Sequence, residues 1–408
     1  MKLKLFTLLF CLAFSINAFA IEKFTLTWEG GVNKWIVVYT TPEEEFTVDW
    51  GDGNVETFTG FWDFVFMFYD YPDNKEYQVT VTGLTDDCQF EIIQCDQGKV
   101  SAIDVSECPS VDLLSVNDNL LTELNLENKP LLRNLDCGNN LFNTLDVRSF
   151  PKLERLFCTN LQLTELDVSL SPLLEYLDCS NNLLTELDLS ANSHLGYLLC
   201  NDNLLSDLDL SANPIELADC FNNRLPLSVL YHISENIEDA PNKRLGTQNL
   251  SKITVETNTA IDFSDQEKFG ETATEFVVLI SGESATIDED YTIQDGIIIF
   301  LKEGVYTVEM TNAAIISDPE FPAEVIVEIE VNKENSIFDS NISKIMVYPN
   351  PTTGIIYIET ETVPELKLYT QNGKLLRTVY SNEIDMTNYA QGIYFLKIND
   401  KTQKIVKK

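Results

Sequence analysis

The sequence predicts a mainly β protein, a solenoid of 21-residue repeats flanked by small β-sandwich domains. Two observations support the solenoid. An apolar residue opens the same phrase every 21 residues, at Val100, Leu121, Phe142, Leu163, Leu184 and Leu205. Cysteine recurs at the same spacing, at Cys137, Cys158, Cys179 and Cys200. A fixed period of roughly 20 to 29 residues with L-x-x-L-x-L phrasing is typical of leucine-rich repeats.

The cysteines mark the strand of each repeat. Each thiol occupies the third apolar position of its phrase, as in Leu132, Leu135 and Cys137. Because side chains alternate along a strand, this position predicts a thiol that points inward as a small buried hydrophobe. The cysteine ladder has two outlying members and one replacement, at Cys95, Cys220 and Val116.

An asparagine follows the ladder position by three residues. An inward amide at this turn is expected to bond backbone groups of neighbouring coils, which would otherwise be buried without partners. The series is Asn119, Asn140, Asn182, Asn203 and Asn223, with Leu161 interrupting it.

Repeats of this length with cysteine in place of leucine resemble those of internalin J and related surface proteins. The resemblance covers about a third of the chain. It implies a leucine-rich-repeat surface protein, but no ligand, because repeat folds host many partners.

The beginning of the chain predicts export. Residues 1–20 carry two lysines, a short apolar run and the triplet Ala18-Phe19-Ala20, the pattern of a signal peptide cleaved after Ala20. No other stretch approaches the roughly 20 apolar residues that a spanning helix needs, so no transmembrane segment is expected.

The composition is strongly acidic, with a formal net charge of −38. Residues 339–408 hold nine basic and seven acidic side chains, so the acidic excess lies in the preceding residues. A surface of this kind repels phosphate backbones and anionic membranes, which argues against a nucleic-acid partner.

Two further cysteines, Cys88 and Cys108, lie at nearly equivalent points of consecutive coils. A disulfide between them would close a loop of about 20 residues, worth on the order of 3 kcal/mol in the loop-entropy model. We expect this disulfide, and the alternative is two unpaired loop cysteines.

Residues 21–87 alternate apolar and polar side chains in short runs, which predicts a small all-β unit that caps the solenoid. Its Trp50-Gly51-Asp52-Gly53 segment resembles the WGDG turn of polycystic-kidney-disease-type modules. In that turn the glycines adopt positive φ and the aspartate closes the turn on its own backbone.

Residues 60–72 form an insert that concentrates aromatic side chains. It either packs in the core of the cap or provides a second ligand surface that stacks on sugar rings. Its aromatic members are Phe61, Trp62, Phe64, Phe66, Phe68, Tyr69 and Tyr71.

Residues 88–240 hold the repeats and, around Leu227 and Leu230, a predicted amphipathic helix that closes the other end. Residues 248–333 return to short strands with a turn about every ten residues, which predicts an immunoglobulin-like sandwich. A linker is expected over residues 334–343.

Residues 344–408 resemble the type A C-terminal sorting domain of the type IX secretion system. This resemblance implies export through the type IX machinery of a Gram-negative bacterium, to the outer-membrane surface or the medium, usually with removal of the domain. The matching residues are Pro349-Asn350-Pro351, Gly354, the Asn372-Gly373 turn, Gly392-Ile393-Tyr394-Phe395, Lys404, Lys407 and Lys408.

Residues suited to catalysis are sparse. His194 and His232 neighbour no G-x-S-x-G elbow, and the cysteines lack zinc spacing. We therefore predict no catalytic residue, no metal site and no cofactor. A periodic row of carboxylates either recruits calcium or stays solvated. It consists of Asp146, Asp167, Asp188 and Asp209 beside Glu123, Glu165 and Glu186.

The outward positions beside the inward leucines carry aromatic and apolar side chains in an otherwise acidic field, as a binding face requires. The first hypothesis is recognition of a protein or host-surface partner. The second is glycan binding aided by the insert, and the third is an enzyme with a deep pocket of paired acids. The candidate ligand-binding residues are Arg155, Phe157, Tyr176, Tyr197, Leu199 and Phe221.

Overall fold

The structure is a computed structural model that describes residues 20–333, 346–348, 350, 352–359, 365–371, 374–398 and 401–408. The chain divides into two compact units, Met1–Glu334 and Asn335–Lys408, and each is described by itself. The expected linker and all of the expected signal peptide except Ala20 lie outside the described residues.

The first unit begins with a two-layer β structure. One layer is a five-stranded sheet in the order β4-β3-β6-β1-β8, and strands β5, β2 and β7 form the other. The layers meet where the ring of Phe90 lies 5.4 Å from Phe24 and 5.6 Å from Phe46. The strands are β1 (Lys23–Glu29), β2 (Lys34–Thr40), β3 (Glu45–Asp49), β4 (Val55–Thr59), β5 (Val65–Tyr69), β6 (Glu76–Gly83), β7 (Phe90–Gln94) and β8 (Val100–Glu107).

The turn after Trp50 has the predicted conformation. Gly51 and Gly53 have φ values of 81° and 96°, and Asp52 Oδ1 accepts a hydrogen bond from the Asn54 backbone N–H. The wider likeness to a polycystic-kidney-disease-type module stays a prediction.

The repeats follow as a parallel ladder of strands two or three residues long, because each coil returns the chain to the same side of the solenoid. Strand β7 pairs in parallel with β9, so the sheet runs without a break in the order β15-β14-β13-β12-β11-β10-β9-β7-β2-β5. The repeat strands are β9 (Leu113–Ser115), β10 (Asn134–Asp136), β11 (Arg155–Phe157), β12 (Tyr176–Asp178), β13 (Tyr197–Leu199), β14 (Leu217–Asp219) and β15 (Lys243–Arg244).

The cap and the solenoid therefore share strands. Strand β8 pairs with β1 and β7 pairs with β2, although both follow residue 87, where the sequence placed the end of the cap. Val100 belongs to both the cap and the solenoid. It pairs with Trp28 of the cap, and its carbonyl accepts a hydrogen bond from the Leu120 backbone N–H in the next coil.

The ladder cysteines occupy the predicted inward positions. All six are fully buried free thiols, and burial raises their pKa. This prediction is confirmed.

The asparagine series bonds neighbouring coils as expected. Asn182 Nδ2 donates to the carbonyls of Cys158 and Cys179 at 2.9 and 3.0 Å, and its Oδ1 accepts from Leu163 N at 2.9 Å. The residue before each ladder asparagine is left-handed, with φ of 56° at Asn181, which explains the recurring Asn or Asp at that position.

Two sets of polar contacts were not predicted. Ser171, Asn192 and Asn213 form a second ladder at a spacing of 21, in which Asn192 Nδ2 donates to the Val168 and Ser171 carbonyls. Gln248 takes the ladder role past the last coil: it donates to the Cys220 carbonyl and accepts from Asn223 N.

Cys88 and Cys108 do not form the expected disulfide; both are buried free thiols. Cys88 Sγ instead lies 3.4 Å from Thr40 Oγ1. The two residues lie on the inner side of the cap, where they pack as small apolar groups.

Helix α1 (Leu227–Asn236) follows the last coil and buries Leu227, Leu230 and Ile233, as predicted. Two sheets then face each other, one in the order β16-β26-β25-β21-β22 with β17 on β26, the other in the order β18-β24-β23. Phe300 and Tyr306 meet between them at 4.4 Å. The strands are β16 (Thr247–Asn249), β17 (Ile253–Glu256), β18 (Ala260–Asp262), β19 (Lys268–Phe269), β20 (Thr272–Ala273), β21 (Glu275–Ile280), β22 (Glu283–Ser284), β23 (Tyr291–Gln294), β24 (Ile297–Phe300), β25 (Gly304–Thr311) and β26 (Glu324–Asn332).

The second unit has its own core, which includes Ile356, Leu368 and Leu396. Asn350 donates to the Lys404 carbonyl and accepts from Val406 N; Pro349, Pro351 and the Asn372-Gly373 turn lie outside the described residues. The strands are β27 (Met346–Tyr348), β28 (Ile355–Glu359), β29 (Glu365–Thr370), β30 (Leu375–Tyr380), β31 (Glu383–Asp385), β32 (Gly392–Ile398) and β33 (Lys401–Lys407).

Candidate functional site

The ten-stranded sheet has one face on the core and one away from it, which we call the open face. The middle residue of each repeat strand points to the core, as Leu156, Leu177 and Leu198 do with no exposed surface. The residues on either side of it therefore point to the open face.

Three rings on the open face form what we call the aromatic strip: Phe157, Tyr176 and Tyr197. The ring centroids of Phe157 and Tyr176 are 4.8 Å apart, and Tyr176 stacks on Tyr197 at 5.9 Å. Tyr197 is 40 % exposed, and its hydroxyl donates to Glu216 Oε2 at 2.6 Å. Parallel pairing of β11, β12 and β13 places Arg155, Tyr176 and Tyr197 side by side.

The strand ends carry a second row, in which acidic and apolar side chains alternate. The register pairs Asp136 with Phe157, Phe157 with Asp178, Asp178 with Leu199 and Leu199 with Asp219. Five of the six candidate residues, Phe221 excepted, therefore lie together on the open face.

Phe221 does not belong to this group. It follows Cys220 and lies beyond strand β14, whose Leu217 and Asp219 take the register positions beside Tyr197 and Leu199. Its ring stacks on Phe321 at 5.2 Å, and the Arg244 guanidinium lies 4.0 Å from the Phe321 ring centroid. Phe221 therefore joins the solenoid to the following sandwich.

Two carboxyls of the second row have perturbed acidity. Burial raises the pKa of Asp136 to about 6, and the nearby Asp96 and Asp178 add to the effect. Burial also raises the pKa of Asp219 to about 6, although Arg244 Nη1, 2.6 Å from Asp219 Oδ2, opposes the rise. Burial outweighs one ion pair here because a carboxylate loses several hydration contacts on entering the sheet.

The aromatic insert lies on the same sheet. Strand β5 pairs with β2 at the opposite end from β15, and the register sets Phe66 beside Val37 and Phe68 beside Trp35. Phe66 and Phe68 are 59 % and 69 % exposed, and their rings stack at 6.5 Å. The aromatic insert was expected to provide a separate ligand surface. Its exposed rings instead form the far end of the open face.

Among the other aromatic residues of the insert, Phe61, Trp62 and Phe64 are also exposed, whereas Tyr69 and Tyr71 pack against the cap. Tyr71 is buried, accepts from Trp28 Nε1 at 3.1 Å and donates to the Trp50 carbonyl at 2.7 Å. Tyr69 stacks on Trp50 at 4.4 Å. The period of two in Phe64, Phe66 and Phe68 was the signal that one face of this stretch is exposed.

The periodic carboxylate row, except for Glu123, lines a groove of about 940 Å³ away from the sheet. Each aspartate of the row closes a turn on its own backbone, as Asp167 and Asp188 do by accepting from Ser169 N and Ser190 N. Hydrogen bonding to the serine side chain, and then to the serine backbone N–H, lowers the pKa of both carboxyls. Among the described residues, no three acidic, histidine or cysteine side chains come together as metal ligands would.

The two histidines are exposed and lie outside the strands of the open face. His194 Nδ1 donates to the Pro172 carbonyl at 3.1 Å, and the ring of His232 contacts that of Tyr231. Both histidines therefore make contacts that are ordinary for surface side chains.

Residues 346–408 match the family model described as the secretion system C-terminal sorting domain. No curated protein matches the chain.

Among solved structures, the functional domain of InlJ from Listeria monocytogenes, described as including a cysteine ladder, is 20 % identical over 61 % of this chain and 68 % of that one, with a TM-score of 0.36. The internalin-like protein lmo2027 from the same species is 15 % identical over 56 % and 74 % of the two chains, with a TM-score of 0.34. The leucine-rich-repeat protein LIC12759 of Leptospira interrogans is 22 % identical over 36 % and 44 %, with a TM-score of 0.30.

The solenoid and the sorting domain together define a leucine-rich-repeat protein exported by type IX secretion, either to the cell surface or to the medium. In the part of the chain that the structure describes, no helix has the length and apolarity to cross a membrane.

Proposed function

We propose that this secreted or surface-displayed protein is a binding protein without catalysis of its own, and that the open face of its ten-stranded sheet recognises a protein partner. The observation that carries the proposal is the aromatic strip, in which three rings contact one another on adjacent strands. Short paired strands hold these side chains in place, so little conformational freedom is lost on binding.

The dimensions of the face favour a protein over a small ligand. Ten strands at about 4.8 Å each span roughly 45 Å, which suits an interface of about 800 Å² per partner. Exposed aromatic side chains are the usual anchors of such interfaces.

A second candidate function is glycan binding at the β5 end of the sheet. The stacked, exposed rings of Phe66 and Phe68, with Trp62 82 % exposed on the preceding turn, provide flat surfaces for sugar rings. This alternative predicts a ligand site at the edge strand and independence from the aromatic strip.

The test uses arrays of surface proteins and of glycans, probed with residues 21–408. The test variant is Tyr176→Ala with Tyr197→Ala, and the matched control is Leu170→Ala with Leu173→Ala, two exposed apolar side chains outside the sheet. A bound protein should lose about 1 to 2 kcal/mol of affinity per tyrosine and nothing in the control. Undiminished affinity in a folded tyrosine variant would contradict the proposal, and loss only with Phe66→Ala and Phe68→Ala would favour the glycan alternative.

A further inference from the structure

The aromatic strip has carboxylates along both of its long sides. Glu154, Glu175 and Glu216 immediately precede strands β11, β12 and β14, on the side where the strands begin. Asp136, Asp178 and Asp219 lie at the strand ends on the other side. The rings of Tyr176 and Tyr197 therefore lie between two acidic borders, and Phe157 lies within the second of them.

The positive charges on this face are fewer, and most are already paired. Arg133 pairs with Asp112 and lies 4.0 Å from Glu154, and Arg244 pairs with Asp219. Arg155 is exposed. The net charge of −38 over the chain adds a long-range field that attracts cations and repels anions.

The carboxyl of Asp136 has an unfavourable environment for its charge. Asp136 is half-buried, and the nearby Asp96 and Asp178 disfavour its negative charge further. A cation brought by a ligand would relieve this repulsion. The adjacent tyrosine rings attract a cation through their faces and cover the aliphatic stem of a long side chain.

Resting on the proposed function, we propose that the open face binds a lysine- or arginine-bearing polypeptide segment, whose aliphatic stems lie over Tyr176 and Tyr197 and whose cationic groups reach the two acidic borders. The argument is one of charge complementarity around an apolar strip. An acidic peptide, a nucleic acid or an anionic lipid surface has the wrong charge for this site.

The spacing of the carboxylates predicts the spacing of the cations. Asp136 and Asp178 are two strands apart, about 10 Å. An extended polyproline-type segment advances about 3.1 Å per residue, so every third residue returns to the same side after about 9 Å. A basic residue at every third position therefore matches the row.

The experiment measures binding of fluorescent (Lys-Pro-Pro)₄ to residues 21–408 by anisotropy at low salt, with (Glu-Pro-Pro)₄ as the reference peptide. Glu175→Gln with Asp178→Asn should weaken binding at least tenfold. Asp167→Asn with Asp188→Asn removes the same charge from the groove away from the sheet, and should change affinity less than twofold.

A second pair of variants tests the rings. Tyr176→Ala with Tyr197→Ala should weaken peptide binding about tenfold, whereas Tyr176→Phe with Tyr197→Phe should retain it because the ring faces remain. Equal losses in the two charge variants, or no binding of the lysine peptide, would overturn the inference. If array binding still depends on Tyr176 and Tyr197 while the charge variants bind normally, the proposed function stands and only the basic partner is wrong.

Discussion

At the scale of single residues, the most informative side chains are the carboxyls that the sheet has partly removed from water. The carboxyl of Asp136 has a pKa of about 6 in the folded protein, against about 3.9 when unfolded. The folded state therefore binds this proton more strongly. Its contribution to stability is complete below about pH 4 and is lost as the pH rises through about 6.

We predict that the free energy of unfolding falls by about 1 kcal/mol between pH 5 and pH 7.5 through this group, a figure discounted for its partial exposure. Asp136→Asn should remove that part of the slope, and urea unfolding at the two pH values measures it. Asp167→Asn is the control, because the pKa of Asp167 is lowered and it titrates below this window. Parallel pH profiles for Asp136→Asn and the wild-type chain would disprove the assignment.

A second residue-scale prediction concerns the asparagine ladder. Asn182→Ala leaves the Leu163 N–H and the Cys158 carbonyl without the amide that bonds them, and buried groups left unpaired cost about 1 to 3 kcal/mol each. We expect a loss of about 3 kcal/mol in urea unfolding. The neighbouring Asn181→Gly should change stability by less than about 1 kcal/mol, because glycine adopts its left-handed φ freely. Similar losses in both would show that the amide bonds are not the cause.

At the scale of elements, the sequence predicted the repeat strands. It did not predict the strand pairs that form between residues distant along the chain. The 21-residue period located the repeat strands and their inward cysteines because one strand per coil fixes which side chains face the core. The pairing of β2 with β7 leaves no periodic trace, so the extension of the solenoid sheet into the cap was not predicted. The role of Gln248 was not predicted either. This residue lies outside the repeat, yet its side chain completes the asparagine ladder.

The candidate site shows the same division. Alternation within a strand correctly placed Tyr176 and Tyr197 outward, because it depends only on the backbone. Phe221 was misplaced because it follows the ladder residue Cys220, so that its ring lies past the end of the strand and packs on Phe321. The expected disulfide failed for a related reason: Cys88 and Cys108 were compared as repeat positions, but Cys88 lies in the cap beside Thr40.

At the scale of the whole molecule, residues 20–333 share one continuous hydrophobic core that runs through cap, solenoid and sandwich. The described residues of the second unit have a separate core of their own. Separate cores mean that neither unit needs the other's apolar surface to fold.

The last prediction follows from that separation. Truncation after Ser336 removes the sorting domain and none of the first core, so we expect the purified fragment to keep the melting temperature of the first unit. The same truncation should abolish type IX export and leave the protein in the periplasm, because residues 346–408 carry the sorting signal. Cell fractionation, with calorimetry of the purified fragment, measures both effects.

An internal control is Tyr176→Ala with Tyr197→Ala in the full chain, which should be exported normally. Surface delivery of the truncated chain would refute the role of the second unit, and a lowered melting temperature would show that the two cores are not independent.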